Sequence, residues 1–218
     1  EFMQQVNSFT GMNLDRAEHE GSVLTDSVVL LQYSYRFDDK SDIGQLAKAV
    51  QKGDIQAVYS VIEQAVTPLW QQQLDPISIQ NHVFEQYHAY FDAVSRHVDA
   101  LNCLKLFEQY HVLCALRQGP QSVASVNELI ERRLQKQGWK THQAFYPGRP
   151  IMVVQNDYRQ RLFNGDTGLV LFDEKGVLKA CFMVENFVRW VDLSRLPAHE
   201  TAFAMTIHKS QGSEFDNV

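Results

Sequence analysis

The sequence predicts an α/β protein in which a small all-β module interrupts a helix-covered parallel sheet. Three observations carry this. Short apolar runs rich in β-branched residues alternate with helical periodicity over the first two-thirds of the chain. Four strand-like runs separated by turn residues then crowd into the stretch 147–197. Last, "AFAMTIH" (202–208) returns to the first texture. The expected division is 1–146 with 198–218 for the α/β part, and 147–197 for the β module. With 218 residues, 44% hydrophobic and 21% charged, the chain has material for a sizeable core.

"VVLLQ" (28–32) reads as a buried strand leading into "YSYRF" (33–37). Ser41 and Asp42 have N-cap chemistry. Ile43, Leu46, Ala47 and Val50 follow at helical spacing, and Gly53 closes that helix. A second helix is expected over 55–64, stopped before Pro68. From Ser78 to Tyr110 the period is strongly helical, with Val83, Tyr87, Tyr90, Phe91 and Val94 on one face and a break near His97 to Asp99. That aromatic face reads as core. "HVLCAL" (111–116) is the next buried strand and Arg117 to Pro120 a turn. Val126, Leu129, Ile130 and Leu134 mark a helix ending near Gly138. "IMVVQ", "TGLVLF", "LKACFMV" and "FVRWV" are the four runs of the β module.

Several function classes fall away. The net charge of -6 rules out a coat of basic surface, though not a local basic groove. The 3 cysteines form no CxxC pair and read as buried reduced thiols of a cytoplasmic protein. No run approaches the roughly 18 apolar residues of a membrane span. Asp173 and Glu174 resemble a magnesium-holding pair, but Lys175-Gly176 and another strand follow at once, which makes them hairpin-turn residues. His82 and His88 lie six apart, so a helix points them to different sides, and no metal site is expected. No glycine is followed by lysine, so the usual phosphate-cradling loop is missing from this sequence.

Two polar segments remain, each just beyond a predicted strand, where open α/β sheets bind ligands. Arg36 offers a planar fork to phosphate oxygens, against the alternative of a surface ion pair. "TIHKSQGSEFD" (206–216) brings hydroxyls, a cation and a glycine, enough for a nucleic-acid backbone or a nucleotide. A strand-to-helix connection with an unusual polar load would look the same.

"TIHKSQGSEFD" resembles motif V of superfamily 1 helicases, and "LLQYSYRF" resembles their motif IV. "VLCALRQGP" with "VNELI", then "FNGDTG" and "SRLPAHET", narrow the resemblance to the RecD family, the alpha subunits of exodeoxyribonuclease V. It covers about Ser27 to Val218. The resemblance implies an ATP-driven motor walking 5′ to 3′ along single-stranded DNA, with ATP and Mg²⁺ between two RecA-like lobes. This chain would be most of the second lobe, excised from a larger protein, and its β module an inserted SH3-like barrel. The implied partners are RecB- and RecC-type subunits, acting on duplex ends in double-strand break repair.

The same resemblance implies site roles. Arg36 would be catalytic, reaching the γ-phosphate. Gln211, Gly212 and Glu214 would join it around the nucleotide. Thr206, His208, Lys209 and Ser210 would meet DNA, with Asn164 at a turn of the β module. Tyr158, Arg161 and Phe163 are candidates for stacking or backbone contact there. The family usually carries a second glycine soon after the Gly-Pro of "RQGP"; here Gln121-Ser122 stand, and that loop receives no role. A stand-alone RecD-like or conjugative helicase, or a non-catalytic docking lobe, are the alternatives.

Phosphoryl transfer needs Mg²⁺, the phosphate-loop lysine and the arginine clamp together. The purified chain is therefore expected to hydrolyse ATP negligibly. Turnover above background that survives repurification would contradict the expectation.

Overall fold

The computed structural model describes residues 38, 40–65, 76–185, 187–211, 215, 217 and 218. The strand expected at Val28–Gln32 lies outside these, as do Arg36, Gly212 and Glu214. The chain divides into two compact units, Glu1–Gln72 and Gln73–Val218. In the first, α1 (Asp42–Lys52) and α2 (Ile55–Gln64) pack on each other. Ser41 caps α1 by accepting the Gly44 N–H, and Gly53 ends it at φ 69. The Asp54 carboxylate caps α2 through the Ala57 N–H.

The second unit opens with α3 (Pro76–Gln86), α4 (His88–Ser95) and α5 (Ala100–Glu108). The break near His97 is present, with His97 itself at φ 54 and Asp99 capping α5. A further interruption, at Tyr87, is not foreshadowed by any Gly or Pro. It coincides with a fully buried ring whose hydroxyl donates to the Phe203 carbonyl at 3.0 Å. The predicted aromatic face is core: Val83, Tyr87, Tyr90, Phe91 and Val94 are all buried, and Tyr87 stacks on Phe107 at 5.5 Å.

β1 (Val112–Cys114) leads through the "RQGP" turn into α6 (Val123–Lys136), whose start is fixed by a reciprocal Ser122–Ser125 capping box. β1 pairs in parallel with the last strand, β7 (Ala204–Thr206), with Cys114 opposite Thr206. Asn127 on α6 secures β7: its amide oxygen accepts the Ala204 N–H at 2.9 Å, and its NH₂ donates to the Thr201 carbonyl at 3.1 Å.

Between these strands lies a five-stranded antiparallel sheet ordered β5-β4-β3-β2-β6. Its strands are β2 (Arg149–Val153), β3 (Thr167–Phe172), β4 (Leu178–Val184), β5 (Phe187–Val191) and β6 (His199–Thr201). The four expected runs are present, β2 shifted two residues earlier. Segment 198–218 supplies one strand to each sheet. Among the described residues no pairing joins β5 to β6, so the ladder is open at both edges. The sheet is buried on both faces. Leu169, Leu171 and Cys181 pack with the helices, while Val170, Ala180 and Phe182 form a second core with Ile151 and Val153. That double burial explains why "TGLVLF" reads as a continuous apolar run. The Tyr90 hydroxyl donates to the Gly148 carbonyl at 2.8 Å and ties the helices to the start of β2.

All three cysteines are buried thiols. Asp173 and Glu174 occupy the β3–β4 turn, where Asp173 accepts the N–H groups of Lys175 and Val177. His82 is half-buried with its ring edge-on to Tyr110, while His88 is exposed. Among the described residues no helix is long and apolar enough to cross a membrane.

Gly168 on β3 stands opposite Phe182 on β4. A Cβ there would lie 2.5 Å from the Cys181 carbonyl oxygen and 2.6 Å from the Phe182 ring. Gly168→Ala is expected to destabilise the chain by about 1–3 kcal/mol. An unchanged thermal midpoint would contradict this packing.

Candidate nucleic-acid interface

β1 and β7 run the same way, so the chain segments after them leave the same edge of the parallel pair. The Ile207 N–H extends the ladder by donating to the Cys114 carbonyl at 3.1 Å. The chain then coils into a short turn. The Lys209 N–H donates to the Thr206 carbonyl at 2.9 Å, and the Gln211 N–H to the His208 carbonyl at 3.3 Å. The Ser210 hydroxyl donates to the Ile207 carbonyl at 2.8 Å. Ile207, His208 and Gln211 are exposed, while Thr206, Lys209 and Ser210 are half-buried.

One contact from this turn reaches far along the chain. The Lys209 ammonium donates to the side-chain oxygen of Asn164. Sequence reasoning selected both residues but had no means of joining them. Asn164 lies in the tight turn before β3, where Gly165 adopts φ 101 and donates its N–H to the Val153 carbonyl at 2.9 Å. Beside it stand two exposed rings, Tyr158 and Phe163, edge to face at 6.0 Å. Arg161 is exposed at φ 47, and its carbonyl accepts an Arg189 N–H at 3.1 Å. Aromatic faces interleaved with cations suit a single strand, because stacking is tolerant of sequence and the phosphates need counter-charge.

The "RQGP" loop, given no role from sequence, emerges beside the 207–211 turn because its strand is the neighbour of β7. Arg117 there pairs with Glu200 at 2.9 Å. Gln121 adopts φ 55, a left-handed conformation that a glycine holds more cheaply. The glycine missing from this loop thus coincides with a position whose backbone suits one.

The opposite end of β3 is built differently. A cavity of about 750 Å³ opens there, with Asp99, Asp173 and Glu174 beside Leu101, Phe172 and Trp190. Of its carboxylates, Asp173 is paired with the Lys179 ammonium at 2.9 Å and Asp99 accepts the Asn102 N–H at 3.0 Å. Of the residues assigned to the nucleotide, only Gln211 is described. No group of three His, Cys, Asp or Glu among the described residues could hold a metal ion.

No protein-family model matches the chain. The chain is similar to RecBCD enzyme subunit RecD of Mycobacterium tuberculosis, with 34% identity over 200 residues, covering 90% of this chain and 34% of that one. The corresponding Haemophilus influenzae subunit is 33% identical over 228 residues, covering 88% and 32%. The ATP-dependent RecD2 DNA helicase of Deinococcus radiodurans is 33% identical over 72 residues, 33% of this chain and 10% of that one. The chain spans about a third of the length of the RecD subunits it matches.

After the turn the chain returns to the other end of β1. Phe215 stacks on the His111 ring at 4.1 Å, and the Asn217 carbonyl accepts the His111 N–H at 3.1 Å. His111 is buried, its Nδ1 has no hydrogen-bond partner, and burial pushes its pKa down to about 4. The unfolded chain takes up this proton near the ordinary value of about 6.5, while the folded chain resists until about 4. The stability this group contributes is thus present above pH 6.5 and lost as pH falls from there to about 4. Thermal midpoints are expected to fall across that window, and less steeply in His111→Phe. Equal slopes in the two proteins would contradict it.

Proposed function

We propose that this chain, a homologue of the RecD subunit over about nine-tenths of its length, is the second, RecA-like lobe of an ATP-dependent DNA helicase. The five-stranded sheet is then its SH3-like insertion. The parent protein unwinds duplex ends 5′ to 3′ in an exodeoxyribonuclease V of the RecBCD type. It works with RecB- and RecC-type subunits and uses ATP and Mg²⁺.

One observation supports this reading most directly. The polar turn 207–211 leaves the carboxyl edge of a parallel pair, and among the described residues its ammonium is bound by an amide oxygen and by no carboxylate. Between described residues, ion pairs form at Arg96, Arg117, Arg132 and Lys179, among others, and none is seen at Lys209. In this reading Lys209 meets a DNA phosphate, and Thr206, His208 and Ser210 supply polar contacts along the same backbone. Tyr158 and Phe163 offer ring faces to unpaired bases. In this reading Arg36, Gln211, Gly212 and Glu214 serve the nucleotide, and of these only Gln211 lies among the described residues. The nucleotide's phosphates supply the charge that an arginine and Mg²⁺ balance during transfer. This division leaves the described residues with the strand side of the work: binding backbone and orienting bases.

The test is oligothymidylate binding followed across salt concentration. Binding is expected to weaken as salt rises, and Lys209→Ala to lower the slope of log affinity against log salt by about 0.7, one phosphate's share for a single strand. Binding indifferent to salt, or an unchanged slope in the variant, would overturn the reading.

A further inference from the structure

We propose that Asn164 acts on Lys209 rather than on DNA. Its side-chain oxygen, in a turn braced by Asn156, holds the ammonium in place while leaving the charge unneutralised. This rests on the reading that Lys209 meets a phosphate. It makes Asn164 and Asn156 positioning residues, and it lets the antiparallel sheet set where the cation stands.

The geometry builds from both ends of the contact. Lysine has donors and no acceptor, so Asn164 must turn its oxygen to it. The Asn164 N–H donates to the Asn156 side-chain oxygen at 2.8 Å. The Phe163 N–H donates to an Asp166 carboxylate oxygen at 2.8 Å, and the Val153 N–H to the Asp166 carbonyl at 2.9 Å. The turn bearing Asn164 is therefore tied to the end of β2 and to Asn156. At the other end, the Lys209 N–H donates to the Thr206 carbonyl and lies 3.3 Å from the Thr206 hydroxyl oxygen. Backbone and head group are both restrained.

The choice of partner carries the chemistry. A carboxylate at position 164 would grip the ammonium harder but cancel most of its attraction for an incoming phosphate. An amide oxygen orients without cancelling. Among the described residues two carboxylates lie close to Asn164 in sequence, and both are engaged with backbone. Asp157 accepts the N–H groups of Arg159 and Gln160, and Asp166 that of Phe163. A half-buried lysine otherwise loses rotamer freedom when it binds, and a pre-set one loses less.

The experiment is a double-mutant cycle on the full chain with oligothymidylate, using Asn164→Ala, Lys209→Ala and the double variant. Asn156→Ala serves as a second route to the same effect. Thermal midpoints check folding. Expected are weaker binding in Asn164→Ala and in Asn156→Ala, and a double variant within about twofold of Lys209→Ala alone. Asn164→Asp is expected to bind more weakly than Asn164→Ala. A readout independent of DNA accompanies it: acylation of the Lys209 amine, followed by mass spectrometry, should quicken in Asn164→Ala while Lys175 labels as before. Additive losses in the double variant, or unchanged Lys209 labelling, would overturn the positioning role while leaving the phosphate reading intact. No loss of binding in Lys209→Ala would overturn both.

Discussion

The register of one short parallel pair governs the arrangement. Cys114 stands opposite Thr206, and from that the "RQGP" loop and the 207–211 turn leave the same edge side by side. Three residues a side make a weak ladder alone. The pair is held by what grips β7 from outside it. Asn127 bonds both polar groups of the Ala204 backbone, at 2.9 and 3.4 Å, and Tyr87 spends its hydroxyl on the Phe203 carbonyl. A slip of one residue would turn Met205 and Thr206 to the wrong faces and break both contacts.

The second constraint is the double burial of the antiparallel sheet. Had its helix-facing side met water instead, the β module would hang on two connections and the turn at Asn164 would have no fixed relation to β7. Instead Leu169 and Leu171 share a core with Tyr87, Phe107 and Phe203. Burial of side chains this size stabilises by roughly 1.5–3 kcal/mol each. One continuous packing surface thus fixes where a lysine after β7 finds an asparagine before β3. It also separates two environments by the length of one strand: exposed rings at one end of β3, a cavity lined by Asp99, Asp173, Glu174 and Trp190 at the other.

Much of this was legible from local chemistry. Ser41, Gly53 and Asp99 announce helix ends because their roles are satisfied within a few residues. The four longer strands of the β module stand out as apolar runs between turn residues. What was hidden depends on distant partners. β6, "HET", carries no apolar alternation and becomes a strand only because β2 offers it an edge. The break at Tyr87 follows from a bond to residue 203, and Asn127 looks like any polar helix residue until its carbonyl partners are in view. Lys209 and Asn164 were each chosen by resemblance to a motif, but no pattern in the chain announces that they touch.

The central claim is that a single strand of DNA runs along the edge shared by the 207–211 turn and the Asn164 turn. Photocrosslinking of bromodeoxyuridine-substituted single strands to the chain, mapped by peptide mass spectrometry, tests it most directly. The account predicts adducts within 156–164 and 206–211. Adducts confined to the cavity end, within 97–101 and 172–176, would contradict it.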